Sequence, residues 1–388
     1  MFFHKGPNHL RSCNRPQVFL LTIIGISILV CLAFILYTNP EQIAYAPNMV
    51  IDGLSIFSSA NEMIPQNSWL LTSEIYHSAG MQLFVSWLFR LFGASPLVVK
   101  IANWFFYVIS IGLVVEVSKY LGLSKSQRLL AAVFVASSGL IICYCATLQY
   151  EVIAMSLLIG ISLLYWRQNY FWFGIAAGVL IFFRLHFMAV LLPFWIALLI
   201  QRDFAKLKRG FAGFLTVVAP LYWIYSSHFQ KLGGFQDFPV DHYKKWLCLG
   251  AVGWNFPYFE FSPTTACGLD FAIDFPGQFV LLLLRRFGFW VGIYHDIWWI
   301  PPFPLLPLPT EVQNCLSLIL ILLSLGLFCY AFRKAVLSRK IDELICAFLP
   351  VFSFLPFLIA GASTRFLVPV IPFVAVLIAK YLGLKCLR

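Results

Sequence analysis

Charge is what this chain lacks most. Of its 388 residues, 11% are charged and 61% are hydrophobic. A soluble domain carries roughly a quarter of its residues as charges, so a water-soluble globule is excluded. Acidic side chains are scarcer still: 16 Asp and Glu stand against 27 Lys and Arg. No basic run interleaved with exposed aromatics occurs, which excludes nucleic acid as a partner. Tight metal-ligand spacing is also missing. There is no CxxC; the CxC of Cys143 and Cys145 lies inside an apolar run and reads as small core residues. Asp237, Asp241 and His242 in DFPVDHY, and the pair His295–Asp296, fit no metal pattern. A divalent metal is therefore unsupported, and no cofactor is indicated. No repeat of one half in the other is visible, which argues against an inverted-repeat transporter.

Long apolar runs are what the chain has in abundance. Runs near the ~20 residues needed to cross the hydrocarbon recur from end to end. Their continuity means helices, because barrel strands alternate. The fold class expected is an all-α polytopic membrane protein in a single transmembrane domain, 1–388. The basic start MFFHKGPNHLRSCNRP precedes an apolar run with no small-x-small cleavage site before Asn39, which reads as an uncleaved first span. Ten spans are expected at about 18–38, 96–119, 129–147, 151–166, 170–184, 187–200, 211–225, 312–332, 344–359 and 366–382.

Cytoplasmic loops collect Lys and Arg. This places both termini in the cytoplasm, together with the loop QRDFAKLKRG (201–210) and the run RKAVLSRK (333–340). Two long segments then lie outside, 39–94 and 228–310. Within the second, 278–299 is apolar but carries Arg285 and Arg286. A single crossing there would put 333–340 outside, so an interfacial or re-entrant helix is expected, leading into the extended PPFPLLPLP (301–309). A pair of crossings would keep the same parity, giving a range of ten to twelve. Cys248 and Cys267 share this outer loop, and a disulfide between them is left open.

The first outer segment holds two amphipathic stretches. Residues 53–64 put Leu54, Phe57 and Ile64 on one helical face, opposite Ser55, Ser58 and Glu62. Residues 78–92 do the same for Met81, Phe84, Leu88, Leu91 and Phe92. Such helices lie in the membrane plane or cover the bundle. Asp52 opens the first of them. It suits a helix N-cap and equally a general base for a hydroxyl. His77, at the start of the second, suits a phosphate contact or an ordinary interfacial position. Glu151, Arg184 and Arg365 fall at outer span edges, where a charge is costly and marks a functional candidate. The two Arg have the paired donors that an anionic headgroup needs; snorkelling to the interface is the structural alternative. Arg285, Arg286 and Glu74 lie on the same side as further candidates.

Four segments in this order resemble the GT-C glycosyltransferases, above all the ArnT-like and protein O-mannosyltransferase-like enzymes. VIDGLSIFSSANEMI resembles the acidic opening after span one, which implies a catalytic Asp52. EIYHSAGMQLFVSWLFRLFG, with the span that follows it, is similar to the stretch beginning Lys-Pro-Pro-Leu. The family's phosphate-binding Lys falls on His77, and its two Pro fall on Ser78 and Ala79. YEVIAMSLLIGISLLYWRQNYFWFGIAAGVLIFFRLHF resembles the Tyr-Pro-Glu span and Thr-Arg-Pro turn, mapping Glu151 and Arg184. STRFLVPVIPFVAVLIA resembles the final Arg-Tyr-Leu-Leu-Pro span and maps Arg365. The resemblance implies an inverting enzyme of cell-envelope glycan biosynthesis in a bacterial inner or plasma membrane. It implies a polyprenyl-phosphate sugar as donor and a lipid, glycan or protein as acceptor. Arg184, Arg365 and His77 would hold the donor phosphate. The family's separate soluble domain is not expected, since the sequence stops at Arg388.

Overall fold

The computed structural model describes residues 15–38, 57–58, 60–61, 79–184, 186–231, 276–277, 280, 283–284, 287–288, 310–359 and 364–382. Asp52, Glu74, His77, Arg285, Arg286, Cys248 and Cys267 lie outside this set, as do the candidate cation ligands of the second outer segment.

Among the described residues every regular element is a helix. In order these are α1 (Arg15–Tyr37), α2 (Ala79–Phe92), α3 (Pro96–Tyr120), α4 (Lys125–Ala136), α5 (Gly139–Cys145), α6 (Glu151–Trp166) and α7 (Tyr170–Phe183). Then come α8 (Phe187–Ile200), α9 (Phe204–Lys231), α10 (Thr310–Ser338), α11 (Ile341–Ile359), a 3₁₀ helix (Thr364–Val370) and α12 (Ile371–Tyr381). The expected spans fall on these helices, with two differences in form. The loop expected at 201–210 is mostly the first turns of α9, capped by the Asp203 carboxylate accepting from the Lys206 N–H at 3.1 Å. The single span expected at 129–147 is a pair, α4 and α5, bent by 52°. Ser137 and Ser138 interrupt it, and the Tyr107 hydroxyl takes up the Ala136 carbonyl at 2.5 Å, satisfying an acceptor that the break would orphan.

Among the described residues three helical stretches are long and apolar enough to cross a bilayer alone, Pro16–Tyr37, Pro96–Tyr120 and Leu318–Ser338, or four if the bent pair counts as one crossing. The others are shorter. At 1.5 Å per residue the 14 residues of α7 or α8 reach about 21 Å, less than the ~30 Å hydrocarbon core. The turns that flank them differ: residues 167–169 and 201–202 are exposed, while Arg184 and His186, between α7 and α8, are half-buried.

Contacts along the helices define two ends. Trp104 donates to the Ile28 carbonyl at 3.3 Å and Lys100 to the Thr38 carbonyl at 2.5 Å, so α1 and α3 run antiparallel. Asn103 bonds to 147 and 149, and Ser110 to Ser156 at 2.6 Å, so α3 and α6 run parallel. One end therefore gathers Thr38, Lys100, Glu151 and Arg184. The opposite end gathers Leu121, Trp166, Asp342, Glu343 and Lys380. There Lys380 donates to Glu343 at 2.8 Å and to the Leu121 carbonyl at 2.5 Å, while Trp166 donates to Asp342 at 2.9 Å. Glu343 is 2% exposed and also accepts from the Tyr381 hydroxyl. This clasp ties α3, α6, α11 and α12 together.

Helices α7 and α9 meet through glycine. A Cβ on Gly174 would lie 1.9 Å from the Gly210 carbonyl oxygen, and one on Gly213 would lie 2.0 Å from the Phe171 oxygen. Close backbone approach at small residues is the usual means of helix association where apolar surroundings offer no hydrophobic drive.

Candidate active site

The chain between α5 and α6, residues 146–150, is buried throughout although it is not helical. Its carbonyls need donors there. Asn103, in the second turn of α3 and 0% exposed, supplies two of them: its amide nitrogen donates to the Thr147 oxygen at 3.0 Å and to the Gln149 oxygen at 3.2 Å. The Thr147 hydroxyl closes back onto the Tyr144 carbonyl at 2.8 Å. This turn fixes where Tyr150 and Glu151 emerge.

Tyr150 is the N-cap of α6, and Glu151 is its first residue, 1% exposed. A carboxylate there faces the positive end of the helix dipole. Arg184 ends α7 in an extended conformation, φ −163° and ψ 130°, so the chain leaves the helix and turns into α8. Its guanidinium sits at the negative end of that helix, again the favourable sign. It donates to the Tyr150 hydroxyl, and its central carbon lies 5.0 Å from the Tyr150 ring centroid and 5.6 Å from that of Phe366. A cation between two aromatic faces gains roughly 0.5–1 kcal/mol from each at exposed sites. More to the point, its fork is held in one orientation while it stays half-buried rather than sealed.

The 3₁₀ helix Thr364–Val370 brings the last candidate to the same place. It packs against α6. Phe366 sits under Arg184, and the His186 ring is 5.1 Å from it, edge to face. Arg365 is the preceding residue of that 3₁₀ helix. Arg184 thus meets Tyr150, the residue before Glu151, and Phe366, the residue after Arg365.

The covering helix α2 also reaches this end. Gly80 lets it approach the last turn of α7: a Cβ there would lie 2.9 Å from the Phe183 nitrogen. Its buried stripe is Met81, Val85 and Phe89 with Gln82 and Ser86. Of the expected apolar face, Met81 is buried and Phe84, half-buried, meets Phe106 and Phe183 at 5.9 and 6.3 Å between ring centroids, while Leu91 and Phe92 are 73% and 70% exposed. Phe57, helical as expected from the first stretch, meets Phe89 edge to face at 4.9 Å. The expected interfacial helix at 278–299 is helical at 280, 283–284 and 287–288, and Phe287 contacts Phe354 of α11 at 5.6 Å. Among the described residues no group of three His, Cys, Asp or Glu side chains is placed to hold a metal ion.

Sequence reasoning passed over Asn103, Tyr150, Phe366 and Lys100. Asn103 carries a usable signal, an amide in the middle of the apolar run IANWFF; a polar group at that depth needs partners. Tyr150 and Phe366 carry none in composition, since aromatic residues make up 18% of the chain, though both fall within the resembled Tyr-Pro-Glu and Arg-Tyr motifs.

Neither a protein-family model nor a curated protein sequence matches the chain. Among solved structures it is similar to ArnT from Cupriavidus metallidurans, crystallised with undecaprenyl phosphate bound, with a TM-score of 0.57 and 13% identity. The match covers 95% of this chain and 60% of the ArnT chain. The chain is a polytopic α-helical membrane protein with the ArnT-like GT-C fold.

Proposed function

We propose that the protein is an integral-membrane glycosyltransferase that moves a sugar from a polyprenyl-phosphate donor to an acceptor at the extracytoplasmic face. The observation that carries this reading is the cradle at the Arg184 end. A guanidinium is held by Tyr150 and Phe366 beside the helix that starts at Glu151, within a fold shared with a protein crystallised with undecaprenyl phosphate. Paired N–H donors fit a phosphate, and donors fixed in advance stabilise charge that develops only as the reaction proceeds.

In the proposed reaction an acceptor hydroxyl or amine attacks the anomeric carbon from the face opposite the phosphate. Asp52 takes the proton that the acceptor loses. The bond from the anomeric carbon to the phosphate oxygen breaks, and its electron pair stays on that oxygen. Arg184, with Arg365 and His77, receives the polyprenyl phosphate that leaves. Glu74, Arg285 and Arg286 are candidates for acceptor or headgroup contacts.

The test is transfer from a radiolabelled polyprenyl-phosphate sugar by the purified full chain in lipid. Release of polyprenyl phosphate is expected, and Asp52→Asn is expected to abolish it while leaving a folded, membrane-inserted protein. Full activity of Asp52→Asn removes Asp52 as the base. Movement of lipid-linked sugar across vesicles without release identifies a flippase, and neither activity leaves a scaffold.

A further inference from the structure

The rings beside Arg184 form a closed circuit. The guanidinium carbon lies 5.0 Å from the Tyr150 centroid and 5.6 Å from that of Phe366. Tyr150 meets Phe187 edge to face at 6.5 Å between ring centroids. The His186 ring lies 4.4 Å from Phe187 and meets Phe366 edge to face at 5.1 Å. These are separations of direct ring contact. Contacts therefore run from Arg184 through Tyr150, Phe187, His186 and Phe366 and back to Arg184. Four of these five side chains have a part in the site or pack its turn; His186 has no part in the reaction proposed above.

The two rings that flank the guanidinium are held differently. Tyr150 accepts from Arg184 through its hydroxyl, and it follows the buried turn whose carbonyls Asn103 meets. Phe366 has no hydroxyl, so packing alone places its ring. It faces the turn at 184–187, which reads RLHF and has no proline to fix its backbone. That turn is closed by the Phe187 N–H donating to the Arg184 carbonyl at 3.1 Å. His186 then opens α8, its carbonyl accepting from the Ala189 N–H at 3.1 Å. Arg184 and His186 are thus side chains of one tight turn, and both meet the same ring of Phe366. Resting on the function proposed above, we infer that His186 is a positioning residue: its ring holds Phe366 against the guanidinium and keeps the Arg184 fork in one orientation. A planar fork serves an anion through paired donors only when it is aimed, and the side chains that lock a binding group set the precision of its site. The role belongs to the shape of the ring, so a phenyl group in its place fulfils it.

The test reads Arg184 directly. Phenylglyoxal modifies guanidinium groups, and peptide mass spectrometry of the purified full chain follows Arg184 alone. His186→Ala is expected to raise the rate of Arg184 modification at least threefold, and His186→Phe to leave it close to wild type. Phe366→Ala is expected to raise it as His186→Ala does, and the double variant to raise it no further, because the two residues act as one unit. An unchanged rate in His186→Ala overturns the inference, even where that variant melts at a lower temperature, since His186 is then packing only. A rate in His186→Phe as high as in His186→Ala overturns it as well, and so does a further rise in the double variant. The second readout is binding of undecaprenyl phosphate, with undecaprenol as the uncharged control. His186→Ala is expected to weaken the first at least fivefold and leave the second unchanged, and His186→Phe to restore the affinity. Wild type that binds no undecaprenyl phosphate refutes the proposed function, while the modification rates decide the role of His186 independently of it.

Discussion

Asn103→Ala is the sharpest probe of how the site is built. The substitution removes two donors, at 3.0 and 3.2 Å, from carbonyls in a fully buried turn. Water has little access to replace them. A buried acceptor left unmet costs about 1–3 kcal/mol, although hydrogen bonds inside membrane proteins average nearer ~0.6 kcal/mol in double-mutant cycles. For two bonds these bounds run from about 1 to about 6 kcal/mol, enough to lower the midpoint of thermal unfolding by a few degrees. Asn103→Asp should be worse than Ala, because it turns a donor into an oxygen facing two carbonyl oxygens. The measurement is thermal unfolding of the purified protein followed by tryptophan fluorescence, paired with hydrogen exchange across 147–150. Faster exchange confined to that turn is the expected local signature. A midpoint for Asn103→Ala within about 1 °C of wild type, or an Asp variant more stable than the Ala variant, would refute the assignment of Asn103 as the donor to this turn.

Two further outcomes follow from the packing. Gly174→Ala places a Cβ 1.9 Å from the Gly210 carbonyl oxygen, a backbone atom that cannot swing aside, so α7 and α9 must part. Overpacking of this kind costs about 1–3 kcal/mol, and unfolding of Gly174→Ala should show it, whereas Ala at Gly112, where nothing lies near, should not. Glu343→Ala leaves Lys380 without its carboxylate in a partly buried position; breaking a buried pair costs about 3 kcal/mol or more. Replacing both residues by apolar ones of similar volume should recover much of that loss in the same melting assay.

The membrane class of this protein was legible from composition, because 61% hydrophobic residues in continuous runs have no other physical home. Loop charge was informative for a related reason: Lys and Arg gathered in short turns placed Leu121, Arg167, Asp342 and Lys380 on one side, and the hydrogen bonds at that end join the same segments. The candidates at Glu151, Arg184 and Arg365 were legible because a charge at a span edge is expensive and therefore conspicuous. What they do together was not legible. Arg184 is held by Tyr150, 34 residues away, and by Phe366, on the 3₁₀ helix. Nothing in composition distinguishes either aromatic from the others in the chain. Periodicity marked an apolar face on α2 without saying which part of it packs; Gly80, meeting the end of another helix, is where the close approach is made. The break between α4 and α5 lay in a run apolar enough to read as one span. The neighbouring Tyr107 hydroxyl, donating to the Ala136 carbonyl, helps make the break tolerable. Membrane class and helical segments are properties of runs along the chain, so the sequence alone determined them. The cradle around Arg184 is a property of pairs distant along the chain, and only tertiary packing brings those partners within hydrogen-bond and ring-contact range.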